Sequence, residues 1–113
     1  MSFKNKQEIS IIKYKGRARC YCPMGEDFYS ADVKVKIYNP KFIPDYCDID
    51  AKLRKLDGKS LTLEDLCCKV MKFVGKQIVT GNVDVKVYSK DATHSPVMVE
   101  NWMNYEKGKP VKY

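Results

Sequence analysis

The stretch "SADVKVKIY", Ser30 to Tyr38, sets the terms on which this chain can fold. Ala31, Val33, Val35 and Ile37 alternate with Asp32, Lys34 and Lys36. Successive side chains of a strand point to opposite faces. The stretch therefore reads as a half-buried strand with one dry face and one wet face. A dry face needs a second layer to cover it. "NVDVKVYSK" repeats the pattern, setting Val83, Val85 and Val87 against Asp84 and Lys86.

Two further stretches read as strands. "ISIIKYKGRARCY" begins after Glu8 and leads to Cys22, with Gly16 as a bulge or bend. "SPVMVENWM" supplies the fourth. Between the two pairs, "NPKFIPDYCD" carries Pro40 and Pro44 and is expected to be irregular. "DIDAKLRKLDGKS" spaces Ile49, Leu53 and Leu56 along one side of a short helix, with Gly58 as its stop. The next helix is signalled more strongly. Thr62 and Asp65 form a capping box, and Leu61 and Leu66 form a hydrophobic staple. Leu63, Leu66, Cys67, Val70, Met71 and Val74 then follow helical spacing. The expected order is β-β-α-α-β-β. That order implies an α+β fold: an antiparallel four-stranded sheet with two helices on one face.

A length of 113 residues suits a single domain, residues 1–113. Domains this small often gain burial by forming homo-oligomers. No apolar run approaches the roughly 18 residues of a membrane span. "MSFKNKQEIS" has no apolar signal core, so a cytoplasmic location is expected. The five cysteines are odd in number and two are adjacent, which fits free thiols in a reducing compartment. The net charge of +7 favours an anionic partner such as nucleic acid. The lysines are scattered along the chain, however, and a plain solvated surface accounts for them equally well.

His94 is the only histidine, which excludes a three-histidine zinc site within one chain. A zinc site combining His94 with Cys20, Cys22, Cys67 or Cys68 is expected to fail on geometry. Cys20 and Cys22 are read as pointing to opposite faces of their strand. Cys67 and Cys68 stand about 100° apart on a helix. The same reading argues against a Cys20–Cys22 disulfide. "GKS" at Gly58 lacks the upstream glycine of a P-loop. His94, in the polar turn "KDATHSP", has no companion for a serine triad. That leaves Cys22, which precedes Pro23 at the mouth of a turn containing Gly25, Glu26 and Asp27. A thiolate there can attack an electrophilic carbon while a neighbouring acid moves the proton. The other reading is a small hydrophobic side chain at a strand end. Cys20, Cys67 and Cys68 read as packing residues. Trp102 and the eight tyrosines offer stacking surfaces, or simply core.

"YCPMGEDFYSADVKVKIY" resembles the active-site segment of the 7-cyano-7-deazaguanine nitrile reductases of queuosine biosynthesis: Cys-Pro, a glycine turn, then an acid opening a strand. Leu63-Glu64-Asp65 resembles that family's helix start, and "NYEKGKPVKY" is loosely similar to its C-terminus. The resemblance implies the tunnelling fold, an oligomeric barrel with sites between subunits. It also implies roles. Cys22 is the nucleophile that forms a thioimide with the nitrile, Asp27 the proton donor, and Glu64 the acceptor for the base's amino and ring N–H groups. In the reductases the acid stands seven residues after the cysteine. Here that position is Tyr29, and the nearest acids are Glu26 and Asp27.

The lysine-rich cofactor motif of the reductases has no clear counterpart in "DIDAKLRKLDGKS". The short QueF-like archaeosine synthases lack that motif, and their middle segment is similar to "DAKLRKLDGKSLTLEDLCCKV". That resemblance implies a chain with no cofactor, in which ammonia displaces the sulfur and leaves an amidine on a base already in tRNA. NADPH enters only under the alternative, a nitrile reductase. A third expectation is a non-enzymatic protein of the same fold that binds a purine, a pterin or nucleic acid.

Overall fold

The computed structural model describes residues 2–89 and 97–111; His94 and its turn lie outside them. The elements are β1 (Phe3–Lys4), β2 (Ile11–Cys22), β3 (Asp27–Tyr38), β4 (Phe42–Ile43), α1 (Tyr46–Lys55), α2 (Leu63–Ile78), β5 (Gly81–Ser89), β6 (Val97–Glu106) and β7 (Lys109–Val111). The four long strands and two helices follow the expected order, and the named strands pair antiparallel throughout, while Tyr21 of β2 makes a parallel bridge to Ser60. The main sheet has five strands rather than four, in the order β2-β3-β5-β6-β7. The fifth arises because the tail folds back at Lys107 and Gly108, both at positive φ, a conformation that favours two-residue hairpin turns. β1 pairs with β4 in a separate two-stranded ribbon.

Two local expectations are corrected. The segment with Pro40 and Pro44 is not irregular throughout: β4 crosses it, and α1 begins directly after Asp45, whose side chain accepts the Asp48 N–H as N-cap. Gly16 makes no bulge. The β2–β3 register runs unbroken from Ile11↔Tyr38 to Cys22↔Asp27. Glycine stands there because a Cβ would lie 2.6 Å from Leu53 Cδ1 and 2.9 Å from the Tyr14 hydroxyl. It is the place where α1 comes down onto the strand.

Both helices cover the same face of the sheet. Leu66, Cys67, Val70, Met71, Val74 and Ile78 of α2, with Ile49 and Leu53 of α1, bury against Val33, Val35, Ile37, Val83, Val85 and Val87. The capping box at Thr62 and Asp65 is formed, with Thr62 Oγ1 accepting the Asp65 N–H at 3.1 Å. The molecule is 19 Å across its thinnest axis, which fits one helix layer of about 10 Å on one sheet. The other face of the sheet carries no layer of its own among the described residues.

Three tyrosines cross from sheet to helix layer and find partners there. Tyr14 donates to Asp50 of α1, Tyr29 to the Leu61 carbonyl at 2.6 Å, and Tyr105 to the Met71 carbonyl at 3.4 Å. Tyr105 lies flat on α2 because residue 75 is glycine; a Cβ there would meet the ring at 2.2 Å. Gly75→Ala gains about 1 kcal/mol of helix propensity and loses about 1–3 kcal/mol to overpacking. The net expectation is a loss of stability, measured as a lower urea midpoint at unchanged slope.

Burial, as the largest cause, raises the phenol pKa values of Tyr14, Tyr29, Tyr46 and Tyr105. A raised value in the folded state means that the unfolded chain loses its protons first. The stability these tyrosines confer is therefore complete below the ordinary phenol value of about 10 and is lost as pH rises through and above it. Urea titrations from about pH 8 to about pH 11 should show that decline, and Tyr29→Phe should make it shallower. A decline of equal steepness in the variant contradicts the assignment.

Candidate active site at the β2–β3 hairpin

Cys22 ends β2 and Asp27 opens β3, and the two are register partners. Partners in an antiparallel pair share a face and stand about 5 Å apart at Cβ. The hairpin therefore holds the thiol and the carboxylate side by side on the helix-bearing side of the sheet. Four residues join them. The Glu26 N–H donates to the Cys22 carbonyl at 2.8 Å, and Glu26 takes φ 55°, the left-handed conformation that closes the turn. The Gly25 N–H donates to Cys22 Sγ at 3.4 Å. Cys22 itself is half-buried, packed against the edge of the core. Asp27 is exposed, with Oδ1 accepting the Phe28 N–H at 2.8 Å.

The expected opposition of Cys20 and Cys22 is corrected. Residues two apart on a strand share a face, and Tyr14, Ala18, Cys20 and Cys22 all turn toward the helices. Burial, not facing, distinguishes the two cysteines. Cys20 is fully buried, its Sγ 3.7 Å from the Leu56 carbonyl, and burial raises its pKa. Cys67 is likewise buried, 3.6 Å from the Val85 carbonyl, and burial pushes its thiol up to about 11. Cys47 and Cys68 are exposed, so Cys68 does not pack as expected. All five are free thiols.

Glu64 reaches this end of the sheet through the chain that precedes it. After α1, the backbone turns at Gly58 (φ 77°) and runs along the outer edge of β2. The Gly58 N–H donates to the Arg19 carbonyl at 2.8 Å, the Tyr21 N–H to the Lys59 carbonyl at 2.8 Å, and the Leu61 N–H to the Tyr21 carbonyl at 2.9 Å. Thr62 then caps α2 within one residue of that seam, and Glu64 stands exposed in the first turn. The helix dipole favours a carboxylate there.

Tyr29 links the parts. It is register partner to Cys20 and 1% exposed, and its hydroxyl donates to Leu61 at the end of the seam. After burial and Cys20, both Cys22 and Glu64 help to hold its proton on. The position seven residues beyond Cys22 is thus a buried phenol bonded to the backbone, and it forms the floor between the cysteine and the helix start. The acid in register with Cys22 is Asp27. Neither the Gly25 contact nor the seam was read from the sequence. The Cys-Pro-Met-Gly spacing carried a signal for the first; the second is backbone pairing, which no side chain announces.

The larger clefts lie elsewhere. One of about 710 Å³ is bordered by Tyr38, Asn82, Asp84, Trp102 and Asn104; another of about 520 Å³ is bordered by Arg17, Arg19, Asp32 and Tyr88. Cys22 lines neither. Among the described residues, no group of three or more His, Cys, Asp or Glu side chains converges as for a metal ion. No described helix is long and apolar enough to cross a membrane.

No protein-family model and no curated protein matches this sequence. Among solved structures, the chain is similar to the archaeosine synthase QueF-Like in its apo form. The TM-score is 0.68 and the identity 21%, over 86% of this chain and 94% of that one. At that identity the likeness is one of fold: this chain has the α+β architecture of the archaeosine synthase QueF-Like.

Proposed function

We propose that this chain is an enzyme of 7-deazaguanine metabolism that acts on the nitrile of 7-cyano-7-deazaguanine, free or in tRNA, and converts it to an amidine with ammonia. The observation that carries this reading is the closing pair of the β2–β3 hairpin. Cys22 and Asp27 face one another there, with the Gly25 N–H on the sulfur. The fold shared with the archaeosine synthase QueF-Like supports the choice of substrate class.

In this reading the Cys22 thiolate adds to the nitrile carbon, and Asp27 delivers a proton to the nitrile nitrogen, giving a thioimide. Ammonia then adds to the same carbon. The carbon–sulfur bond breaks, the electron pair returns to Cys22, one proton of the added ammonia passes to the Asp27 carboxylate, and the neutral amidine leaves. Nitrile and ammonia are consumed, and nothing is oxidised or reduced. Glu64 accepts hydrogen bonds from the base's amino and ring N–H groups, a two-point contact suited to a carboxylate. Assembly with further copies belongs to the same reading. The outer edges of β2 before Arg19 and of β6 before Asn104 have no strand partner among the described residues, and β2 and β6 run antiparallel. Edges of that kind invite strand pairing between copies, which would wall the open ledge at Cys22.

Incubating the protein with free 7-cyano-7-deazaguanine should add the whole ligand mass to the chain, because thioimide formation expels nothing. Intact mass spectrometry reads the adduct, and Cys22→Ala should abolish it while Cys47→Ala leaves it in place. Absence of the adduct on folded protein contradicts the mechanism. NADPH consumption with the free base would move the reading to a nitrile reductase.

A further inference from the structure

The two open edges of the sheet differ in charge. Among the described residues, the outer edge of β2 is unpaired from Ile11 to Ala18, since the seam takes it from Arg19 onward. The outer edge of β6 is unpaired from Val97 to Met103, since β7 takes it from Asn104 onward. On the face without helices, the open part of β2 displays Lys13, Lys15 and Arg17. Arg17 pairs with Asp32 at 3.2 Å. Lys36 stands opposite Asp84 and Lys86 opposite Glu100, so those two lysines are matched within the copy. Lys13 and Lys15 stand opposite Lys36 and Lys34, with no acid in register. Like charges so placed are destabilising.

The open part of β6 has the opposite character. Glu100 and the 73% exposed Trp102 project from the same face, and the indole N–H donates to Glu100 at 3.1 Å. Behind them Asp84 Oδ1 is buried with no hydrogen-bond partner; burial, followed by its hydrogen bond to Glu100, raises the Asp84 pKa. Two carboxyl groups short of donors favour a cation beside them. The helix-bearing face is also unfinished at both edges. Ile12 on β2, and Val97, Val99 and Met103 on β6, are only half-buried against the core.

Open edges of this kind pair with other strands, and copies of one chain have three ways to do so. β2 on β2 sets one basic run against another, which like charges oppose. β6 on β6 leaves every β2 edge open with its unmatched lysines. β2 on β6 sets the basic run against the acid and the indole. The two open stretches also match in length, and β2 and β6 run antiparallel. Aligned in full, residues 12–18 against residues 97–103, they bring Lys13 beside Trp102, Lys15 beside Glu100 and Ile12 beside Met103. A slip of two residues, of the kind that the tilt of a closed barrel requires, brings Lys13 or Arg17 beside Glu100 instead. Each of these registers gives Glu100 a basic neighbour.

From these two edges we infer that copies of the chain join head to tail, with the Lys13, Lys15 and Arg17 edge of one protomer docking on Trp102 and Glu100 of the partner subunit. Such a contact is heterologous, so it closes into a ring rather than stopping at a dimer. Backbone pairing and the covering of Ile12, Val97, Val99 and Met103 supply the affinity. Charge selects which edge meets which. A lysine ammonium over the Trp102 ring adds a cation–π contact. The inference rests on the proposed reading only for assembly through strand edges. It does not use the chemistry at Cys22, so the adduct can fail while the interface stands, and the reverse.

The test is the oligomeric state of the full chain across a dilution series, read by light scattering after size exclusion and by native mass spectrometry. The wild type should assemble beyond a dimer. Lys13→Glu with Lys15→Glu should raise the concentration of half-assembly by at least about tenfold, and by more at low salt than at high salt. That variant keeps its fold, because each new carboxylate stands opposite Lys36 or Lys34 of its own copy. Its dispersed form should therefore melt no lower than dispersed wild type. Glu100→Lys should disperse the assembly by itself, and adding Lys13→Glu with Lys15→Glu should bring half-assembly back to within about threefold of wild type. Lys34→Glu, the same change of charge on an inner strand of the same face, should not restore it. A wild type that stays monomeric, or that stops at a dimer, would overturn the proposal. So would charge variants that assemble like wild type, or a Glu100→Lys defect relieved as well by Lys34→Glu as by the β2 pair.

Discussion

The seam between residues 58–61 and the outer edge of β2 organises the site end of this molecule. Three backbone hydrogen bonds of 2.8–2.9 Å hold the chain against the strand from Arg19 to Tyr21. They satisfy an edge that would otherwise stand open where β2 reaches its hairpin. They also fix where α2 begins. Thr62 caps the helix immediately after the seam, so Glu64 is delivered to the same end of the sheet as Cys22. Tyr29 locks the arrangement from below by donating to Leu61, the last residue of the seam. Freed from these bonds, the α2 N-terminus would have no fixed relation to the hairpin, and the cysteine and glutamate would be unrelated residues.

The two faces of the sheet divide the labour. One is dry and carries the helices, and its rim at the hairpin holds Cys22 and Asp27. The other is wet and basic, and its rows of lysines cost stability that the valine core must offset. Val33, Val35, Val83, Val85 and Val87 are buried to within 2% of full cover directly behind those lysines. At roughly 1.5–3 kcal/mol for each large apolar side chain removed from water, a core of this kind outweighs cross-strand repulsions of under about 1 kcal/mol each. The same alternation that builds the core therefore also displays the charge.

Much of the fold was legible because its signals are local. Strict alternation marked β3 and β5, and the Thr62–Asp65 box with its leucine staple marked the start of α2, as the capping geometry shows. Where the structure departs from expectation, the causes are physical. The expectation that Cys20 and Cys22 take opposite faces fails because a period of two places them together; Cys20 differs because it lies under Leu56 and Cys22 lies at the rim. Pro44 suggested irregular chain, yet Asp45 directly after it caps a helix. Gly16 suggested a bulge, and close approach of Leu53 and Tyr14 explains it instead. The seam and the β7 strand were missed because they rest on backbone pairing between distant or weakly patterned segments. At the site, Cys22 and Asp27 were named from the turn and from resemblance; the structure adds their cross-strand register, and the placing of Tyr29 as a buried floor.

A crystal structure of the protein soaked with 7-cyano-7-deazaguanine tests the central claim most directly. The account predicts continuous density from Cys22 Sγ to the former nitrile carbon, the Asp27 carboxylate within hydrogen-bonding reach of the imide nitrogen, and Glu64 paired with the amino edge of the base. A ligand bound with its nitrile out of reach of Cys22, or seated only on the far face of the sheet, would contradict it.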